Sequence, residues 1–315
     1  MRLEGKTVIL TDASSPVGRA VARRFALEGA RLALNFPVVD ENYTGTDESA
    51  CTSMNAAAGT DMNIAAGTGI CTDTSELSEF KDTMSASGHI TVSIDPASKQ
   101  QVDGFVEDVM HAFGKIDALV HGNNDVRRLS LLECTDDEFM RAMDVNAKSA
   151  FLFTQAAGRR MKDARAGHIL YMSTIHDEKP TGAAFAYSIS KGAVQMLMRE
   201  AAVDLGVYGI CVNSIGCGPV EGDDILYESD ISKLYENLDA RIPMRHVGTP
   251  EDFASLALFL CGDENRFING EDIRVDGGFL LNYGTRMNYE EYDELLKEYN
   301  GDIEALMALY AQRRR

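Results

Sequence analysis

Short apolar, mostly β-branched runs alternate with amphipathic stretches along most of this chain, and that alternation restricts its fold more than any other feature. Residues 6–10, 31–36, 89–94, 116–121, 167–173, 209–215 and 271–275 read as strands. Helical periodicity falls between them at about 17–28, 76–86, 98–113, 136–161, 186–205 and 250–261. Thr135 with Glu138 predicts a capping box at the start of the fourth of these helices. Strand followed by helix, repeatedly, implies an α/β fold: a doubly wound parallel sheet with helices on both faces.

Two stretches break the rhythm. Residues 37–75 are rich in Gly, Ala, Thr, Ser, Asn and Asp with little periodicity, and read as a loosely folded insertion after the second strand. Residues 282–315 read as a helical hairpin, stopped in the middle at Asn300-Gly301. The expected organisation is one domain over 1–281 with that insertion, followed by a C-terminal helical extension.

The chain has 315 residues, 45% of them hydrophobic, which is enough to bury a large core. Its formal net charge of −19, with no basic stripe, argues against nucleic acid and against an anionic membrane surface. The six Cys stand apart without a C-x-x-C, so they read as small apolar fillers in a reducing compartment. The six His lack ligand spacing, and no metal site is expected. There is no apolar leader and no apolar run of ~20 residues, so a cytoplasmic protein is expected.

The chemistry concentrates at Tyr187-Ser188-Ile189-Ser190-Lys191. Four residues apart in a helix, Tyr187 and Lys191 share a face. A phenol titrates near pH ~10, and an ammonium beside it favours the phenolate. The pair can therefore donate and accept a proton near neutral pH. Alone, such a pair is an ordinary helix turn; the rest of the chain changes its meaning.

Over residues 3–281 the sequence resembles the short-chain dehydrogenase/reductase family, with its motifs in order. Thr11 to Gly18 sits at the family's T-G-x-x-x-G-x-G turn, Asp95 at the acidic position after the third strand, and Leu119 to Asn124 at the N-N-A-G stretch. Asn146 matches the family's helix Asn, Thr174 its Ser-motif hydroxyl thirteen residues before the Tyr, and Cys217-Gly218-Pro219-Val220 its P-G-x-V turn. Ile273 to Gly278 matches the closing signature.

The resemblance implies a Rossmann-like sheet and hydride transfer between NAD or NADP and a ketone or secondary alcohol. It makes Tyr187 the acid/base and Lys191 the residue that lowers the Tyr pKa and holds the nicotinamide ribose. Asn146 would anchor a proton-relaying water, and Thr174 would hold the substrate oxygen. Thr11, Ser14, Gly18, Asp95, Asn123, Lys191, Gly218 and Val220 would contact the cofactor. It also implies a substrate lid over 219–246, whose Tyr227 and Tyr235 suit an apolar or aromatic small molecule or plain helix packing. A homo-oligomer, dimer or tetramer, is implied too, with Met196, Leu197 and Met198 at an interface or in the core.

The nucleotide side departs from the pattern. Asp12 stands where the first motif glycine does; at an effective dielectric of ~20, like charges ~4 Å apart cost about 4 kcal/mol. Pro16 replaces the second glycine and offers no N–H, though it suits a helix start. Phe36 occupies the end of the second strand, where an acid or base is expected. NAD is favoured over NADP, because no Arg or Lys stands at 13–16 or 35–37. Two alternatives follow. One is nicotinamide-independent proton chemistry on Thr174, Tyr187 and Lys191, as in lyase-, isomerase- or dehalogenase-like relatives. The other is a non-catalytic scaffold subunit paired with an active relative.

Overall fold

The computed structural model describes residues 1–36, 62–64, 71–127, 129–180, 182, 184–221, 241–281 and 297. The elements are β1 (Thr7–Thr11), α1 (Pro16–Leu27), β2 (Arg31–Phe36), β3 (Met62–Ile64), β4 (Cys71–Asp73), α2 (Thr74–Ala86) and β5 (Ile90–Ser93). After these come α3 (Lys99–Phe113), β6 (Ala118–His121), α4 (Asp136–Ala142), a π-helical turn (Met143–Lys148), α5 (Ser149–Ala164) and β7 (Gly167–Thr174). The last are α6 (Phe185–Gly206), β8 (Ile210–Cys217), α7 (Pro250–Leu260) and β9 (Asp272–Val275).

Seven strands form one sheet in the order β5-β2-β1-β6-β7-β8-β9, and every pairing is parallel. Strands buried on both faces need continuous apolar runs, which is why β1 reads Thr-Val-Ile-Leu-Thr and is buried throughout. One face packs α1, α2 and α7 through Val21, Phe25, Phe80, Phe253 and Leu258. The other packs α3, α5 and α6 through Phe105, Phe153, Val194 and Met198. The doubly wound α/β architecture is as the alternation requires.

Three details differ from the sequence reading. The helix expected over 136–161 is interrupted by the π-helical turn, behind the expected Thr135/Glu138 capping box. The insertion is not wholly irregular, since β3 and β4 pair as an antiparallel two-stranded sheet and α2 already begins at Thr74. The rest of the insertion, the lid residues 222–240 and, apart from 297, the hairpin of 282–315 lie outside the described residues.

Candidate active site

The strand order reverses between β1 and β6, and a cleft opens at the C-terminal ends of β1, β6, β7 and β8. Thr11, Asp12, Ser15 to Gly18, Gly122, Asn124, Ser173 to His176, Tyr187 and Cys217 to Val220 line it.

The β1–α1 turn is held by its own side chains. Ser15 caps α1 by accepting from the Gly18 N–H at 3.0 Å, with Pro16 in the first helical turn. Gly18 is obligatory, since a Cβ there would collide with the Asp12 carbonyl oxygen. Thr11 Oγ1 accepts from the Gly122 N–H at 2.9 Å and ties the turn to the end of β6. Asp12 takes the left-handed conformation at φ 54° that the family's glycine would favour. Its carboxyl is fully buried and accepts from Ser14 Oγ at 2.6 Å through one oxygen. Burial pushes its pKa up to about 6, opposed by the Ser14 hydrogen bond and by the charges of Lys191 and Arg19.

The opposite side of the cleft is built on α6. Tyr187 faces the cleft; Lys191, one turn on, is buried behind it, with Nζ 5.8 Å from the Tyr187 ring centre. The ammonium donates to the carbonyl oxygens of Asn123 at 3.2 Å and Met172 at 3.3 Å. Burial lowers its pKa to about 8, and the nearby Cys217, Asp12 and Asp177 oppose that fall. Asn146, in the π-helical turn, accepts from the Asp125 N–H at 2.6 Å and donates to the Asp125 carbonyl at 3.1 Å and to Ser190 Oγ at 2.8 Å. Ser190 in turn donates to the Tyr187 carbonyl at 2.8 Å. Asn146 thus locks the loop after β6 to α6 from behind the cleft. π-Bulges recur at functional sites because they re-aim single residues.

At the end of β7, Thr174 Oγ1 accepts from the His176 N–H at 3.3 Å, which leaves its own hydroxyl proton to donate. Ser173 Oγ donates to Asp177 at 2.9 Å. The His176 ring stands edge-on to Tyr187 at 6.5 Å. Its Nδ1 lies 3.3 Å from the Lys179 carbonyl, so Nδ1 carries the proton and Nε2 is an acceptor. Burial lowers its pKa and keeps the ring neutral.

Of the residues singled out from sequence, Thr11, Gly18, Thr174, Tyr187, Gly218 and Val220 line the cleft, with Lys191 directly behind. Ser14 is buried and spends its hydroxyl on Asp12. Asn123 contributes its carbonyl to Lys191. Asp95 stands apart: it is exposed, and its carboxylate accepts from the Ala97 N–H at 2.9 Å in the turn before α3. Phe36 does not enter the cleft, because its ring is buried against Phe80 of α2, edge-on at 6.2 Å. Ser190 and Asp177 were not anticipated. Ser190 had one signal, its place three residues after Tyr187 on the same helical face.

Three buried side-chain oxygens without a partner, Asp12 Oδ2, Asn123 Oδ1 and Asn124 Oδ1, gather at the ends of β1 and β6. They are acceptors, and the ribose hydroxyls and carboxamide of a nicotinamide dinucleotide are matching donors. The ionised Asp12 carboxylate is the misfit, since it repels phosphate.

The family described as enoyl-(acyl carrier protein) reductase matches residues 67–280. An L-rhamnose 1-dehydrogenase (NAD(P)(+)) of Azotobacter vinelandii is 30% identical over 285 residues, covering 90% of this chain and 99% of that relative. The chain belongs to the short-chain dehydrogenase/reductase family. Glucose 1-dehydrogenase 2 of Bacillus subtilis is 26% identical, with 89% and 96% of the two chains covered. A crystal structure of a short-chain type dehydrogenase/reductase from Mycobacterium marinum superposes with a TM-score of 0.68 at 25% identity, covering 88% of this chain and 96% of that one. Membership in this family of oxidoreductases accounts for the cleft's position at the strand-order reversal.

Proposed function

We propose that this oxidoreductase uses NAD(P) to interconvert a secondary alcohol and a ketone, with Tyr187 as the acid/base. The observation that carries this reading is the placement of Tyr187 and Thr174 in one cleft, with a buried, partly depressed Lys191 behind the phenol. In the oxidative direction the Tyr187 phenolate accepts the proton of the substrate hydroxyl, and Lys191 stabilises that phenolate. Thr174 donates its free hydroxyl proton to the substrate oxygen, where negative charge develops. Thr11, Gly18, Asn123, Asn124, Gly218 and Val220 would hold the dinucleotide, which when bound supplies or accepts the hydride. Asn146 keeps α6 and the loop after β6 in register, so that Lys191 reaches both carbonyls.

The names of the rhamnose and glucose 1-dehydrogenases support extending the substrate centre to the hydroxyl-bearing C1 of a cyclic aldose, where the same proton and hydride transfer gives a lactone in place of a ketone. His176 Nε2 and Ser173 at the mouth suit a substrate with further hydroxyls. A homo-oligomer is part of the proposal. Ile189, Met196 and Val203 are exposed on α6 at seven-residue spacing and form one apolar stripe that a second copy can cover. The domain reading of 1–281 with an appended 282–315, and a cytoplasmic setting, belong to the same proposal. Among the described residues no helix is long and apolar enough to cross a membrane.

The test is a panel of aldoses and cyclic secondary alcohols with NAD+ and NADP+, read by the absorbance of the reduced nicotinamide. Turnover by the parent chain and its loss by at least a thousandfold in Tyr187→Phe are expected, on the scale of general acid–base catalysis joined to charge stabilisation. Activity of Tyr187→Phe within a few-fold of the parent refutes the assignment.

A further inference from the structure

In a sheet of this kind the residue at the end of the second strand meets the adenosine ribose, where a 2′-hydroxyl asks for an acid and a 2′-phosphate for a base. Phe36 ends β2 here, with its ring turned into the core beneath Phe80. The polar group above that ring comes from another element. Lys81 of α2 places its ammonium 5.5 Å from the centre of the Phe36 ring. The same ammonium donates to Ser93 Oγ, at the end of β5, at 3.1 Å. It therefore bridges the C-terminal ends of β2 and β5.

We infer that Lys81 is the residue that distinguishes a 2′-phosphate from a 2′-hydroxyl, and that this chain binds NADP(H) in preference to NAD(H). This inference rests on the dinucleotide reading proposed above. Three further observations support it. First, Lys81 makes no ion pair among the described residues, and one hydrogen bond leaves two of its three N–H donors for a ligand. Second, two cations of α1 approach the same part of α2. The Arg23 guanidinium lies 5.2 Å over the Phe80 ring, and Arg19, on the preceding turn of α1, is held against the turn by its bond to the Ser14 carbonyl at 2.6 Å. Glu76 of α2 acts on Arg19; Glu79 and Asp82 neighbour Lys81 in sequence but fall two residues before and one after it, off its helix face. Asp95 turns its carboxylate to the Ala97 N–H. Third, the Phe36 ring, itself backed by Phe80, is an apolar floor beneath the Lys81 ammonium and orients it before a ligand arrives.

The experiment is the dissociation constants of NADPH and NADH, measured by nicotinamide fluorescence for the parent, Lys81→Met and Lys81→Glu. Lys81→Met keeps the stem that packs on Phe36, and an unchanged melting temperature confirms that it folds. The parent should bind NADPH about tenfold or more tighter than NADH, as a charge-assisted bond to phosphate warrants. In Lys81→Met that ratio should fall to within about threefold while the NADH constant stays put, and in Lys81→Glu it should invert. Added salt should shrink the parent's ratio more than that of Lys81→Met. A parent that binds both nucleotides equally, or a ratio untouched in Lys81→Met, overturns the role of Lys81 and leaves the oxidoreductase reading standing. Failure of the parent to bind either nucleotide overturns the oxidoreductase reading itself, and this inference with it.

Discussion

Asp12→Gly is the substitution whose outcome the structure fixes most tightly. Asp12 is buried, sits at φ 54°, and has one carboxylate oxygen with no partner. Its pKa is raised from 3.8 to about 6, chiefly by burial. The folded chain therefore holds this proton more tightly than the unfolded chain does. The corresponding stability is fully present below pH ~4 and is lost as pH rises through about 6, amounting to about 3 kcal/mol once the group is ionised. Glycine removes that loss and relaxes the left-handed backbone by up to about 1 kcal/mol. Against this, Ser14 Oγ loses the acceptor it holds at 2.6 Å, which costs about 1 kcal/mol. Asp12→Gly should then be about 2–3 kcal/mol more stable than the parent at pH 7.5 and nearly equal to it at pH 4.5. Urea unfolding followed by circular dichroism at both pH values measures this. A variant that is less stable at pH 7.5, or whose advantage is the same at both pH values, refutes the account of a buried, ionised carboxylate at the phosphate turn.

Two further substitutions probe the side of the cleft built on α6. Asn146→Ala removes the bonds that join Asp125 to Ser190 and leaves buried backbone groups unpaired, so urea unfolding should show a loss of about 2–4 kcal/mol. Lys191→Met should lower turnover at least a hundredfold without loss of fold, read by activity and circular dichroism. Because the folded-state pKa of Lys191 is depressed to about 8, the parent's stability relative to Lys191→Met should rise as pH increases from about 8 towards 10.5. A flat difference over that range contradicts the burial of the ammonium.

The parts legible in the sequence are those fixed by local rules. β1 and β2 announce themselves because the middle of a strand buried on both faces is apolar, as Val8 to Leu10 and Leu32 to Leu34 are. The Thr135/Glu138 box and the Pro16 helix start are local hydrogen-bond and dihedral preferences. Tyr187 and Lys191 meet because helical spacing makes them meet. What the sequence hides depends on partners distant along the chain. The π-helical turn has no local signature; Asn146 in it is bonded to Asp125 and, across the fold, to Ser190. The pairing of β3 with β4 arises in a segment without alternation. Phe36 reads as a missing ligand until Phe80, on a helix beyond the insertion, is seen to cover it. Lys81 is invisible for the same reason: it reaches the end of β2 only through tertiary packing. Asp95 stands at a motif position, and its carboxylate is held by the Ala97 N–H in the turn before α3.

The central claim is that the cleft between the ends of β1 and β8 still accepts a nicotinamide dinucleotide despite Asp12. Thermal unfolding of the parent chain across a titration of NADPH tests it most directly. A stoichiometric ligand should stabilise the fold by mass action, about 2.7 kcal/mol at a hundredfold excess over Kd, with a shift that grows logarithmically with concentration. A melting temperature that does not move with NADPH or with NADH, at pH 5.5 or at pH 7.5, contradicts the claim.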